Sequence, residues 1–391
     1  MQKTPLALQR TYPTVDFQAI PSACFVLEEK RLRENLELIK FVQEESGAQI
    51  ILALKGFAMF GAFPLIRKYL SGTASSGLYE ARLGYEEFGG EVHCFSTAYF
   101  EDEFEDILRY SDHLSFNSLN QWERFKPRVQ HASKKISCAI RINPEYAEVT
   151  TDLYNPCIPG SRLGQTAPHF GDQLPEGIEG LHFHTLCESD SYALERTLAA
   201  IEDRFGKLLH QAKWVNMGGG HLMTREGYDV AHLIRVLKQF QEKYDVKVIL
   251  EPGAAIAWQT GYLVTTVQDI FDSQGIQAVI IDASISAHMP DCIEMPYKPK
   301  ILGAYDAVPT ATAYRIGGST CLAGDYVGDY RFDRPLQIGN RLVFDDMMHY
   351  TMVKTTFFNG VRHPSLGIWH EDGSFELVRK FSYEDYRSKL S

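Results

Sequence analysis

Short apolar, β-branched runs recur along the chain with room for one helix between most of them. This recurrence restricts the fold more than any other feature. The runs are 49–54 (QIILAL), a weaker one at 71–75, 92–96 (VHCFS), 113–117 (HLSFN), 136–143 (ISCAIRIN), 180–185 (GLHFHT), 214–218 (WVNMG) and 247–251 (KVILE). Continuous apolar runs of this length suit strands buried on both faces of a parallel sheet. The spacing predicts helices over 30–45, 191–212 and 229–244. In the first, Leu32, Leu36, Ile39 and Val42 share one stripe at the 3.6-residue period. Eight strand–helix repeats over roughly 230 residues match a (β/α)8 TIM-like barrel. An open doubly wound sheet would have fewer strands and an early GxGxxG, which the chain lacks.

The pattern changes near Gly261. The segments YLVTTVQDIF, QAVIID, TATAYRIGG, QIGNRLVF and FELVRKF alternate or run apolar, with Gly, Pro and Asp between them. They predict an all-β domain. At about 150 residues per domain, a chain of 391 residues allows two or three units, and the strand count favours two. The expected division is an α/β barrel over 25–260 and a β domain formed by 261–391, to which residues 1–24 can add a strand.

Composition excludes several classes of function. Lys plus Arg total 39 and Asp plus Glu 50, a formal net charge of −11, which argues against a nucleic-acid partner. No run approaches the roughly 18 apolar residues of a membrane span. The opening Leu6-Ala7-Leu8 is interrupted by Gln9 and Arg10, too early for a signal-peptide core. Seven cysteines without a CxxC argue against a disulfide framework or cysteine zinc site, and for the reducing cytoplasm.

In a barrel the chemistry sits at the C-terminal ends of the strands. Lys55 ends QIILAL. It is either an imine-forming amine with a lowered pKa or a lysine reaching for the rim. Gly218-Gly219-Gly220 follows the seventh run, where late loops of barrels often bind phosphate; a tight turn is the alternative. Glu251-Pro252-Gly253 ends the eighth, as a carboxylate for a protonated ring nitrogen or as a surface turn. His182 and His184 are two residues apart on one side of a strand. They are a metal pair, two interior histidines, or, for His184, a ring packed on a flat cofactor. No HExxH or third ligand cluster accompanies them, and no metal is expected. Cys321 lies in the Gly/Asp-rich GGSTCLAGDYVGD, and Tyr350 precedes the FFNG stretch at 357–360. Most free cysteines are structural, but the glycine-dense setting favours an exposed functional loop for Cys321. Tyr350 could place a phenol near a phosphate, a core aromatic being the plainer reading.

Taken together, ALKG, FHTLCE, GGG, EPG, CLAGD and YTMVKTTFFNG resemble the fold-type III pyridoxal-phosphate enzymes, the alanine-racemase-like barrels. Within these the chain is most similar to the basic amino acid decarboxylases, the group of the ornithine and diaminopimelate enzymes. The stretches LALKGFAMF, YNPCIPGSRLG, HMPDCIEMPYKP and FSYEDYRSKLS look like the carboxynorspermidine (carboxyspermidine) decarboxylase branch.

The resemblance implies pyridoxal 5'-phosphate carried by Lys55, stacked on by His184. It implies a phosphate held by Gly218, Gly219, Gly220, Gly253 and Tyr350, and a pyridine nitrogen held by Glu251. It further implies a homodimer with shared active sites, in which Cys321, the general acid with Lys55 as rival, and Asp325 enter from the partner subunit. His288, Asp291 and Glu294 are candidate contacts for a small cationic substrate, a carboxylated triamine.

Four positions depart from the wider family. Ala254 stands where the ornithine enzyme has a phosphate-binding arginine. Leu322 replaces the acidic residue that reads the distal end of ornithine or diaminopimelate. Thr185-Leu186-Cys187 replaces a Gly-Ser pair, and Gly56 an Ala-Asn pair. All are consistent with the carboxynorspermidine branch. A carboxylate at Glu251 favours a charged pyridinium and hence decarboxylation, whereas the related racemases place an arginine there. Rival expectations are an ornithine or diaminopimelate decarboxylase, a racemase, a non-catalytic pyridoxal-phosphate protein, and a zinc hydrolase using His182 and His184.

Overall fold

The eight apolar runs are the staves of a parallel barrel in the computed structural model, which describes residues 14–391. In sheet order the strands are Gln49–Ile50, Lys247–Leu250, Trp214–Asn216, Gly180–His182, Ser137–Arg141, His113–Phe116, Glu91–Ser96, Gly72–Ser75 and Leu52–Ala53. Each pairs in parallel with its neighbour. The two ends of this order belong to one run, because the run 49–54 is interrupted at Ile51. Gln49–Ile50 pairs with the eighth strand and Leu52–Ala53 with the second, so the first run closes the ring. Backbone hydrogen bonds from Ile51 N–H to the Leu250 carbonyl (3.0 Å) and from Leu54 N–H to the Ala74 carbonyl (2.9 Å) complete the closure.

Side-chain size decides how the interior fills. Ala53, Ala74 and Ala139 are small enough to admit the Trp214 indole, which packs with them, Ile51 and Ile249. Gly180 is required beside it: a Cβ there would lie 2.4 Å from the Trp214 ring. The indole Nε1–H donates to Ser137 Oγ at 2.9 Å, so the buried donor is satisfied. The predicted helices form as Glu29–Ser46, Ser191–Leu209 and Val230–Tyr244. Asp190 caps the second by accepting the Ala193 N–H, and Asp229 caps the third by accepting the His232 N–H. Caps of this kind contribute about 1 kcal/mol each.

The chain divides into two units. Among the described residues the first holds 34–256, and the second holds 14–33 with 257–391. The second unit is a nine-stranded mixed sheet. Its path runs Ala304–Asp306, Tyr326–Phe332, Tyr314–Gly317, Ile276–Ile281, Gly261–Ser273, Cys24–Glu28, Ser365–Trp369 and Phe375–Arg379, with Arg341–Asp345 also paired to Gly261–Ser273. Gly261–Ser273, Ile276–Ile281, Tyr314–Gly317, Arg341–Asp345 and Phe375–Arg379 correspond to the five segments anticipated from the sequence. Short helices at Ile285–His288, Asp291–Glu294 and Tyr383–Ser388 interrupt the expected all-β character.

The sequence places the start of the barrel at residue 25. In the structure Cys24–Glu28 is instead a fully buried strand of the second sheet, antiparallel to Gly261–Ser273 and parallel to Ser365–Trp369. A strand buried on both faces reads the same in either sheet, which is why the run CFVL does not reveal its partner. Residues 1–13, part of the segment expected to add a strand, lie outside the described residues. Among the described residues no helix is long and apolar enough to cross a membrane.

Candidate active site

The first run leaves the barrel wall at Lys55-Gly56. Gly56 and Gly253, beyond the eighth strand, lie backbone against backbone; a Cβ on Gly56 would fall 2.8 Å from Gly253 Cα. This contact explains why glycine follows both Lys55 and Pro252. Burial pulls the Lys55 ammonium below the ordinary lysine value of 10.5, and Arg141 adds to that shift. Glu251, Glu80 and Cys187 oppose it. The balance leaves Lys55 more readily neutral than a surface lysine, as a covalent nucleophile requires.

The glycine loop after Trp214–Asn216 packs against two other strand ends. A Cβ on Gly218 would lie 2.6 Å from His184 Nδ1, and one on Gly219 would lie 2.5 Å from the Glu251 carbonyl oxygen. Two of the three loop amides are engaged within the chain. Gly218 N–H donates to Asn216 Oδ1 and Gly219 N–H to His184 Nδ1, both at 2.8 Å. The Gly220 N–H makes no hydrogen bond to the described residues. Gly218 and Gly219 therefore shape the loop, and Gly220 has an amide to offer.

Because His184 Nδ1 accepts from Gly219, the proton of a neutral His184 ring sits on Nε2. Burial, with Lys55 and Arg141 nearby, holds the His184 pKa well below the ordinary histidine value of 6.5. A neutral ring suits packing on a flat heteroaromatic.

Glu251 Oε1 accepts from Asn216 Nδ2 at 2.6 Å, and its backbone N–H donates to the Gly218 carbonyl at 2.8 Å. Its Oε2 lies 3.9 Å from His182 Nε2. His182 is buried with neither ring nitrogen hydrogen-bonded among the described residues, its ring meeting the edge of Phe95 at 5.2 Å. Burial, then Arg141 and Lys55, hold it well below 6.5.

Two residues of this site carry no role in the sequence reading. Asn216 links Glu251 to the glycine loop. Arg141 is buried, stands 4.4 Å over the Phe95 ring, and donates from Nη2 to the His184 carbonyl at 3.3 Å. Burial lowers its pKa to about 10, against the pull of Glu251. A polar residue inside an apolar run, WVNMG or ISCAIRIN, is the signal that finds both.

The assembled groups fit the pyridoxal phosphate that the resemblance implies. They are an amine of lowered pKa, a neutral imidazole, a carboxylate with one oxygen already oriented, an available amide at Gly220, and the orphaned polar nitrogens of His182. They do not form a metal site. Among the described residues, three candidate ligands come within 4.8 Å of one another only at Glu91, His93 and His113, at the start of the strands. The two rings there are stacked, 4.0 Å apart and 5° from parallel. Parallel imidazoles cannot both point an in-plane lone pair at one ion.

The remaining candidates belong to the second unit. Cys321 is exposed, and its N–H donates to Asn359 Oδ1 at 2.8 Å. Asp325 is buried. Its Oδ1 accepts from Ser284 Oγ (3.1 Å) and Ser286 N–H (2.9 Å), its Oδ2 from Thr320 Oγ1 (2.6 Å) and Thr320 N–H (3.1 Å). A carboxylate so occupied holds the Cys321 loop more readily than a ligand. His288 is fully buried; its Nδ1 accepts the Ser284 N–H, and burial pushes its pKa to about 3. Asp291 Oδ2 accepts from Tyr297 (2.5 Å) and Thr351 (2.9 Å), while its buried Oδ1 has no partner among the described residues. Glu294 pairs with Lys354. Tyr350 adopts a left-handed backbone, φ 56°. All seven cysteines are unpaired.

Comparison with known proteins places these features in a lineage. Residues 153–348 match the family model described as pyridoxal-dependent decarboxylase, C-terminal sheet domain. The chain is 51% identical over 373 residues to a carboxyaminopropylagmatine decarboxylase of Synechocystis, covering 95% of this chain and 96% of that protein. It is 45% identical over 381 residues to a carboxynorspermidine/carboxyspermidine decarboxylase of Campylobacter jejuni, covering 95% and 98%. The crystal structure of carboxynorspermidine decarboxylase from that organism, complexed with norspermidine, superposes with a TM-score of 0.88 at 44% identity. It covers 95% of this chain and all 100% of its own.

Proposed function

The chain belongs to the pyridoxal-dependent decarboxylases, and from that premise we propose that it releases CO2 from carboxynorspermidine and carboxyspermidine, giving norspermidine and spermidine. It is a pyridoxal-phosphate-dependent carboxy-lyase of polyamine biosynthesis, and its substrate is a polyamine-type small molecule. The observation that carries the reading is Glu251. Its carboxylate closes the eighth strand, is oriented by Asn216, and acts electrostatically on Lys55.

When bound, the cofactor supplies a conjugated, ring-protonated sink for the electrons left on the α-carbon as CO2 departs. The residues of the chain supply the rest. Lys55 Nζ is the covalent anchor, available because burial keeps it readily neutral. Glu251 Oε2 would hold the proton of the ring nitrogen, His184 would lie against the ring face, and the Gly220 amide would serve the phosphate. Arg141 keeps a fixed positive charge beside Lys55, which supports the amine's deprotonation. We assign the α-carbon proton to Cys321 Sγ and the shared site to a homodimer, with Asp325 anchoring the Cys321 loop of the donating subunit. A cytoplasmic setting accords with seven unpaired thiols.

The dimer has a direct test. Mixing inactive Lys55→Ala protein with Cys321→Ala protein, followed by subunit exchange, is expected to restore activity, because one hybrid site then holds both Lys55 and Cys321. A mixture no more active than its components contradicts site sharing.

The substrate for which the Synechocystis relative is named supports a second reading. Carboxyaminopropylagmatine carries a planar guanidinium where the carboxylated triamines carry an amine, and a carboxylate recognises that group through a bidentate fork. Leu322 argues against ornithine and diaminopimelate. CO2 release should therefore be measured, as kcat/KM, for carboxynorspermidine, carboxyspermidine, carboxyaminopropylagmatine, ornithine and diaminopimelate. The first two are expected to turn over with preference. A higher value for carboxyaminopropylagmatine selects the second reading, and preference for ornithine or diaminopimelate overturns both.

A further inference from the structure

Asn216 ends the short strand Trp214–Asn216 and is 1% exposed. A buried amide is costly where its polar atoms go unmatched. Here both ends are matched, and each by a different part of the site. Nδ2 donates to Glu251 Oε1 at 2.6 Å, and Oδ1 accepts the Gly218 N–H at 2.8 Å. The Gly218 carbonyl in turn accepts the Glu251 N–H at 2.8 Å. Asparagine, carboxylate and glycine loop thus form one closed hydrogen-bonded ring.

We propose that Asn216 is a positioning residue for decarboxylation: it holds the Glu251 carboxylate so that Oε2 serves the ring nitrogen of the cofactor, and it locks that orientation to the glycine loop. The inference rests on Glu251 being the ring-nitrogen partner. An amide is suited to the task because it donates from one end, accepts at the other, and exchanges no proton with its neighbour. A valine or leucine would add apolar burial to the strand and leave Glu251 Oε1 unpaired. The groups that act on Glu251 from the other strand ends are Lys55, Arg141, His182 and Cys94. Among the described residues none of these hydrogen-bonds its carboxylate, so orientation falls to Asn216.

Asparagine to aspartate isolates the effect. N216D keeps the acceptor for Gly218 N–H but sets a second carboxylate against Glu251, and two carboxylates at that distance share a proton instead of both ionising. The ring nitrogen then loses its partner while the loop keeps its shape.

The test uses purified holoenzyme of the wild type, N216D, N216A, E251Q and the double variant E251Q/N216D. Three quantities are read: the absorbance spectrum of the bound cofactor at fixed pH, cofactor retention on dialysis, and kcat with KM. N216D is expected to change the cofactor band in the same direction as E251Q and to lower kcat about 10- to 100-fold, with KM little changed. In the E251Q background, N216D is expected to add almost nothing, since its effect passes through Glu251. N216A, which breaks both hydrogen bonds without adding charge, should alter the band and also release cofactor more readily.

A wild-type band and kcat in N216D overturn the proposal, as does a wild-type band in N216A. So does an N216D loss that persists in full beside E251Q, because it then acts through the fold. If E251Q itself leaves the band unchanged, the role of Glu251 fails and this inference with it. If E251Q changes the band and N216D does not, this inference alone fails.

Discussion

Replacing Lys55 by alanine is expected to remove covalently held cofactor and to lower decarboxylation by at least about 10³-fold. The size follows from the role: removing a nucleophile costs more than removing a hydrogen bond to it. Lys55→Arg is the companion variant. It keeps a cation facing Glu251 but offers no nucleophilic amine, so it should be as inactive as Lys55→Ala. Activity in Lys55→Arg would mean that charge, not amine chemistry, is what position 55 supplies. The pH dependence has a definite sign. The neutral fraction of an amine rises as pH climbs through its pKa, and the Lys55 pKa lies below the ordinary 10.5. Capture of added cofactor by the apo-protein should therefore speed up with rising pH and level off at a lower pH than for a surface lysine.

Replacing Gly220 by alanine is expected to be the most damaging single methyl group in the first unit. Gly220 has φ 86°, and a Cβ would lie 2.1 Å from the Leu186 carbonyl oxygen and 2.3 Å from its carbon. Both are backbone atoms of the segment that follows His184, so the clash cannot relax by turning a side chain. Strain in the left-handed region and forced overpacking each cost about 1–3 kcal/mol. Thermal unfolding should shift down by several degrees, and cofactor retention should fall with it, since the shifted segments carry His184 and the Gly220 amide. Gly206 is the control. It lies within the helix Ser191–Leu209, where an added Cβ meets nothing within 4 Å. Gly206→Ala is expected to be neutral or to stabilise by about 0.5–1 kcal/mol. Equal losses in both variants would contradict the assignment of the clash.

The two glycines show what a sequence can and cannot disclose. GGG after WVNM announces a close approach of backbone, yet not that two of its amides are consumed by Asn216 and His184. The bond to Asn216 is local, two residues back, but the bond to His184 joins strand ends 35 residues apart at one end of the barrel, which spacing along the chain does not encode. The barrel itself was legible because each strand is buried on both faces and reads as an unbroken apolar run. The run CFVL reads the same way but pairs in the other sheet, since burial on both faces marks a strand without naming its neighbour. Asn216 and Arg141 passed as strand residues. Their polarity within apolar runs is visible, but their importance appears only with Glu251 and His184 beside them. Asp325 shows the reverse. An aspartate in a glycine-rich loop looks available for substrate, whereas four hydrogen bonds from Ser284, Ser286 and Thr320 already occupy it. His288 likewise sits near a distinctive motif, and its complete burial is a property of packing that HMPDC does not reveal.

Borohydride reduction of the purified holoenzyme, followed by peptide mapping, tests the central claim most directly. Reduction fixes the cofactor to whichever amine carries it. A single pyridoxyl group is expected, on the peptide containing Lys55. A label on another lysine, or no label on protein saturated with pyridoxal phosphate, would contradict it.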